Sequence, residues 1–257
     1  MESDTESQDR IKTTERIFQI VELLMREDGL SFTEVANHLD LSRSSAYRHL
    51  TSLERQGYVI KESEKYYPGM QFLDVGEYVR TRKSVYEMIE PKIEKLAERT
   101  DERAEFIVEE HGTGIFVHRE VGENAVHTNT RIGRSIPLHA SAAGKAILAH
   151  YPTQRVEEIV ESQGLEELTQ HTITDADELL DELTEIRETS IAYNDQELIE
   201  GLRAVGVPIL DGDDVIGGIS ITGPTSRFQG EKLKNEYPDL LLGVANELEL
   251  NIAFRDE

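Results

Sequence analysis

The sequence predicts an α/β (α+β) protein built in two parts. Three observations carry this. Residues 11–70 hold three short amphipathic helical patterns followed by a hairpin signal. Residues 70–99 form a long helical stretch. From residue 105 onward, short strand patterns are interspersed with helices of ordinary length. The chain has 257 residues, which at about 150 residues per domain bounds it between one and two domains. Hydrophobic residues make up 38% and charged residues 30%, a globular composition.

The first ten residues are polar and acidic and read as a mobile tail. Ile17, Ile20, Val21 and Leu24 then recur at spacings of three and four, with Phe18 beside them, and Asp28-Gly29 closes this first helix. Ser31 followed three residues later by Glu34 is a capping box that opens a second helix, with Val35, Ala36 and Leu39 inward. Asp40-Leu41 turns the chain. Ser42 caps a third helix that runs to about Gln56 with Ala46, Leu50 and Leu53 on its buried side. Residues 58–61 and 65–67 read as two strands around the turn Glu62-Ser63-Glu64. Three helices with a tight second turn, followed by a hairpin, make the winged helix-turn-helix pattern.

Residues 71–90 read as a linker helix, with Pro91 marking a kink or a new helix start. Beyond it, residues 105–108, 114–118 and 124–127 read as strands. Residues 141–151, 155–162 and 175–190 read as helices, the last with a Thr174 cap and Asp177 in its third position. Residues 204–210 and 215–222 are strands around the turn 211–214, where Gly217-Gly218 signals a bulge or a close ligand approach. A last helix spans about 232–254, bent or split at Pro238.

Charge divides the chain. The net charge is −24, of which residues 11–70 carry −1 and residues 71–257 carry −20. Arg outnumbers Lys by 18 to 9. An acidic, lysine-poor surface fits a salty cytoplasm, where repulsion is screened within a few Å. Stability is then expected to rise with KCl. The absence of cysteine excludes a disulfide framework, a cysteine zinc site and a cysteine nucleophile. No apolar run reaches the roughly 18 residues of a membrane span, and the N-terminus lacks the apolar segment of a signal peptide. A soluble cytoplasmic protein is expected.

Against this acidic background, residues 41–61 contain four bases (Arg43, Arg48, Arg55, Lys61) and one acid (Glu54). The third helix would enter the major groove of double-stranded DNA with its N-terminal residues first. Its outward side chains are Arg43, Ser44, Ser45, Tyr47, Arg48, His49 and Thr51. Ser31 and Thr33 at the second helix, Ser42 at the turn, and Lys61 and Lys65 on the hairpin complete the predicted DNA contacts. Hydroxyls and helix N-termini suit phosphates, and arginines suit phosphates or guanine edges. The bland alternative is a small helical domain with a solvated charged face.

Further motifs follow in order: Pro137-Leu138-His139-Ala140-Ser141-Ala142-Ala143-Gly144-Lys145-Ala146, then Asp195-Gln196-Glu197, then Glu200-Gly201-Leu202-Arg203, and finally Ile219-Ser220-Ile221-Thr222-Gly223-Pro224. In this order behind a winged helix, they resemble the IclR family of transcriptional regulators along nearly the whole chain. The resemblance implies a GAF-like α/β effector-binding domain over 91–257 that senses a small metabolite, usually an organic acid. It also implies a dimer, or dimer of dimers, on a near-palindromic operator controlling catabolic genes. Carried over residue by residue, the effector-facing positions are Thr128, Ile136, Ala142, Ala143, Asn194, Asp195, Leu202, Ala204, Ser220 and Thr222. The chain departs from the family in carrying Ala204 where many relatives have cysteine, and Asn194 where many have Asp. The residues themselves agree with a pocket. Ser141 opens a helix of small side chains whose amides and dipole suit a carboxylate, and Ser220 and Thr222, two apart on a strand, share a face. The competing possibility is that Ser141 is only an N-cap and both hydroxyls are satisfied in the core.

Enzyme signatures fail on inspection. Gly144-Lys145 is followed by Ala146, so there is no P-loop, and Ser141 and Lys145 are four apart rather than three. Val117 stands where Gly112-Thr113-Gly114 would need a third glycine. His111, His118 and His127 match no metal-ligand spacing. No cofactor, no metal and no catalysis are expected. Two rivals stay open: a small-molecule enzyme with an appended DNA-binding domain, and a ligand-independent architectural DNA protein.

Overall fold

The computed structural model describes residues 11–126 and 130–254. The predicted acidic tail 1–10 and two residues singled out above, His127 and Thr128, lie outside them. The described chain falls into two compact units, one ending at Val79 and the other beginning at Arg80.

In the first unit, α1 (Lys12–Arg26) buries Ile20, Val21, Leu23 and Leu24 and leaves Phe18 exposed. Asp28 and Gly29 both take positive φ to end it. Ser31 caps α2 (Phe32–His38) in a complete capping box with Glu34. Asp40 takes φ 49° in the turn to α3 (Arg43–Arg55), which Ser42 caps and which buries Ala46, Leu50 and Leu53. β1 (Val59–Glu62) and β2 (Lys65–Pro68) pair antiparallel around Ser63, the wing. Tyr66 on β2 bridges to Leu30, closing the hairpin onto the helices. α4 (Gln71–Thr81) starts under the wing, where Phe72 meets the Tyr58 ring at 4.9 Å.

The expected single helix over 71–90 is two helices. α4 ends at Thr81, and α5 (Ser84–Thr100) starts after Arg82-Lys83. Pro91 does not start a helix: it sits inside α5, whose buried stripe Tyr86, Ile89, Ile93 and Leu96 runs through it and outweighs the lost hydrogen bond.

The second unit is a six-stranded antiparallel sheet between helical layers, in the order β5-β4-β3-β8-β7-β6. Its strands are β3 (Arg103–Glu110), β4 (Thr113–Val121), β5 (Ser135–Pro137), β6 (Ala192–Asp195), β7 (Leu202–Asp211) and β8 (Asp214–Pro224). Residues 124–126 form a turn and irregular chain rather than the expected strand. Ala104, Phe106, Val108, Val205, Val207, Ile219 and Ile221 face α5 and the last helix α9 (Tyr237–Ala253) in one core. The other face is covered by α6 (Ala142–Ala149), α7 (Thr153–Gln163) and α8 (Ala176–Thr189). Asp175, not Thr174, caps α8, accepting from the N–H groups of Asp177 and Glu178. Pro238 lies in the first turn of α9, which a π-helical turn (Lys232–Glu236) leads into, so the proline starts the helix rather than splitting it.

Two glycines bring α6 down onto the sheet. A Cβ on Gly206 would stand 2.6 Å from the Ala143 nitrogen, and one on Gly218 would stand 2.6 Å from the Ala143 carbonyl oxygen. The close approach at Gly218 is therefore to helix backbone. The bulge lies beside it, where Ile216 is the unpaired residue opposite Ile209-Leu210.

Candidate functional site

Two sites are built, one in each unit. In the first, α3 presents Arg43, Ser44, Tyr47 and Arg48 on one exposed face. The Tyr47 ring packs edge-on to Phe32, centroids 6.1 Å apart, and half of the residue stays exposed. Ser45, His49 and Thr51 are half-buried behind that face, as is Thr33 on α2. The hydroxyls of Ser31 and Ser42 serve their own helices: Ser31 Oγ accepts from the Glu34 N–H, and Ser42 Oγ accepts from the Ser45 N–H. These two predicted contacts also cap their own helices. On the wing, Lys65 is exposed, and Lys61 sits 5.6 Å from the Tyr66 ring centroid and 3.9 Å from Glu64. Burial, then Arg48 and Arg16, push the His49 imidazole below its ordinary value. Arg43, Tyr47 and Arg48 with the wing lysines form a basic and aromatic face suited to a DNA groove.

In the second unit a pocket opens between α6 and the sheet. Of the ten predicted effector positions, Ile136, Ala142, Ala143, Asn194, Leu202, Ala204, Ser220 and Thr222 line it. Asp195 does not: its carboxylate points away from the pocket and binds Arg203 in a bidentate pair at 2.7 and 3.0 Å. That arginine holds the Asp195 carboxyl below the usual range. Alternation explains the split, since Asn194 and Asp195 face opposite sides of β6.

Ser141 caps α6 by accepting from the Gly144 N–H. The Ala142 and Ala143 N–H groups belong to the four at a helix start that have no intrahelical acceptor. Asn194, buried on β6, donates its side-chain amide to the Ala140 carbonyl and fastens the approach to α6. Leu198 and Ile199, from the loop after β6, close another side. The cavity measures about 40 Å³, space for a few waters, so a metabolite enters only as wall side chains move.

The sequence did not single out the charged part of this wall. Arg103 and Glu105 both line the pocket and both are buried. Arg103 Nε lies 2.9 Å from Glu105 Oε1, and the Thr222 hydroxyl donates to Glu105 Oε2 at 3.4 Å. Burial pushes the Glu105 carboxyl up, and Arg103, Arg119 and Thr222 oppose it. The available signal was the spacing of Arg103, Glu105 and Ile107, two apart on one strand face. Nothing in the sequence marks Lys145 as buried. It is fully buried, and its Nζ binds Glu197 and Glu182. Among the described residues no three His, Cys, Asp or Glu side chains gather as metal ligands. His111 sits in the β3–β4 turn, and His118 is buried with Nε2 donating to the Tyr86 carbonyl at 2.8 Å. No helix of the described residues is long and apolar enough to cross a membrane.

A winged helix with a basic recognition face, carried on one chain with a pocketed α/β unit, defines a ligand-responsive DNA-binding regulator of transcription. Comparison with known proteins narrows the class. Residues 13–63 match the IclR helix-turn-helix domain, and residues 77–249 match the bacterial transcriptional regulator IclR C-terminal domain. The chain belongs to the IclR family of transcriptional regulators. It is 30% identical to the probable HTH-type transcriptional regulator ArcR of Halobacterium salinarum, over 95% of this chain and 94% of that one. The crystal structure of the Thermotoga maritima IclR superposes with a TM-score of 0.80 at 28% identity, covering 95% of this chain and 100% of that one. An IclR homologue from Microbacterium hydrocarbonoxydans, complexed with 4-hydroxybenzoate, shares the fold at a TM-score of 0.81 and 20% identity, covering 94% and 99%.

Proposed function

We propose that the pocket binds a small organic acid and that its occupancy sets the affinity of the winged helices for an operator that controls catabolic genes. One observation carries this reading: the N-terminus of α6, the buried Asn194 and the buried Ser220 line one small cavity. Helix-start amides and a hydroxyl favour a carboxylate, and the 4-hydroxybenzoate held by the distant homologue is itself an organic acid. The chain acts as a dimer or dimer of dimers on a near-palindromic site in the cytoplasm, without catalysis and without a cofactor. In the pocket, Ser141 Oγ is committed to its cap and is not paired with a base.

The mechanism is a population shift. A metabolite that prefers one arrangement of the sensor units biases the spacing of the two winged helices, by no more than its differential affinity for the two states. Paired variants test the two sites: Arg48→Ala weakens operator binding and leaves effector affinity alone, and Ser220→Ala does the reverse. Thermal shifts over a metabolite panel identify the acid, because a ligand of the folded state raises stability. If both variants lose only folding stability, the two-site reading is wrong.

A further inference from the structure

The second unit holds a larger cavity that the effector reading does not use. It measures about 280 Å³ and is lined from β5, α6, α7 and α8. Leu138, Leu148, Ile159 and Leu179 are buried in its wall, and Val160 and Leu165 are half-buried beside them. An apolar cavity of roughly 150 Å³ already takes up a benzene ring, so this one has room for a substituted six-membered ring. Among the described residues, Ile136 alone lines both this cavity and the effector pocket. The two spaces are therefore separate, with one side chain in their common wall.

The chemistry of the wall differs from that of the effector pocket. No lysine or arginine is among the described residues that line it, and its one carboxylate, Glu166, is on the exposed rim. A carboxylate buried without a cation beside it is costly, so the cavity disfavours organic acids. Two of its rim groups are already committed. Gln163 Nε2 donates to the His111 carbonyl at 3.0 Å, and the Thr113 hydroxyl donates to the Glu110 carbonyl at 3.0 Å.

His139 is the exception. It lines the cavity at 5% exposure, and its Nε2 donates to the Glu166 carbonyl at 3.2 Å. Burial pushes the imidazole below its ordinary value, which favours the neutral ring. With the proton on Nε2, the lone pair lies on Nδ1. That nitrogen makes no hydrogen bond among the described residues. The cavity thus combines an apolar wall with one uncommitted acceptor on a buried side chain. A buried acceptor left without a donor costs free energy that a ligand hydroxyl recovers.

We propose that this cavity is a second ligand site, for an uncharged, hydrocarbon-rich alcohol about one ring in size whose hydroxyl donates to His139 Nδ1. It takes a ligand of opposite character to the acid assigned to the effector pocket, and it does not depend on that assignment.

The test uses the full-length protein and three probes of one ring size: cyclohexanol, cyclohexanone and cyclohexanecarboxylate. Thermal shift and ligand-observed NMR report binding. Cyclohexanol is expected to bind saturably and about tenfold more tightly than cyclohexanone, which has no proton to donate. Cyclohexanecarboxylate does not displace it. Methyl NOEs place the bound ring against Ile159 and Leu179. Val160→Trp fills the cavity and abolishes cyclohexanol binding, and His139→Phe brings the alcohol down to the affinity of the ketone. Circular dichroism checks that both variants fold, and the wild-type affinities and NOEs decide the matter if they do not. Absence of saturable cyclohexanol binding overturns the site. So do NOEs to Leu202, which would put the alcohol in the effector pocket. Alcohol and ketone binding equally in the wild type overturns the role of His139 and with it the proposed ligand class.

Discussion

Lys145 Nζ lies 2.8 Å from each carboxylate oxygen of Glu197. The lysine comes from α6 and the glutamate from the loop after β6, whose next two residues, Leu198 and Ile199, line the pocket. Glu182 of α8 joins the pair at 2.6 Å. One buried ammonium thus ties the helix that caps the pocket to the loop that closes it.

Removing the lysine strands two carboxylates around a buried site. Lys145→Met is expected to cost about 3–5 kcal/mol, the usual penalty for breaking a buried pair, read as a shift of the urea midpoint. Lys145→Met with Glu197→Leu should recover part of the loss. A single-variant cost below about 1 kcal/mol would show that the pair does not hold the loop.

Gly206→Ala places a methyl group 2.6 Å from the Ala143 nitrogen. The neighbour is backbone and cannot rotate away, so α6 must lift. A loss of about 1–3 kcal/mol is expected, as for other overpacked cores, with effector affinity falling because Ala142 and Ala143 line the site. Wild-type effector affinity in this variant would mean that α6 does not set the pocket's width.

His139 is buried, its Nε2 donating to the Glu166 carbonyl at 3.2 Å. Burial, and secondarily Lys145, push it below the ordinary 6.5. The unfolded chain therefore binds the proton first as pH falls. The stability this histidine contributes is full above about 6.5 and is lost as pH drops toward its folded value. Urea midpoints at pH 5.5, 6.5 and 7.5 should fall on acidification more steeply in the wild type than in His139→Gln. Parallel slopes would remove His139 from the account.

Ser42 and Arg48 separate folding from recognition. Ser42→Ala deletes the α3 cap and should cost about 1 kcal/mol of stability. Arg48 is exposed, and Arg48→Ala should leave the melting midpoint unchanged while weakening operator binding by about 1–3 kcal/mol if it reads a base. If it holds a phosphate, the salt dependence should fall by about one ion. Fluorescence anisotropy across a KCl series distinguishes the two.

The winged helix was legible because its signals are local. The Ser31 and Glu34 capping box, the Ser42 cap and the apolar spacing of α3 act within four residues, and each stands in the structure where the sequence put it. Eight of the ten effector positions carried over from the family line one pocket, but Asp195 could not be separated from Asn194 without knowing which face of β6 is buried. The expected strand over 124–126 and the expected helix start at Pro91 failed for a related reason. Both are decided by what packs against the segment, and local propensity does not report that.

The sequence by itself determined the order of elements, the caps, the buried stripes of the first three helices and the membership of a family of regulators. Hydrogen-bond rules and side-chain periodicity operate over a few residues and leave a trace in the string. Only the tertiary structure decided that Lys145 is buried rather than solvated, that it meets a glutamate 52 residues away, and that Arg103 and Glu105 turn inward to make one end of the pocket charged. Those outcomes depend on strand pairing and on two glycines letting a helix touch a sheet, which bring distant residues together after the local choices have been made.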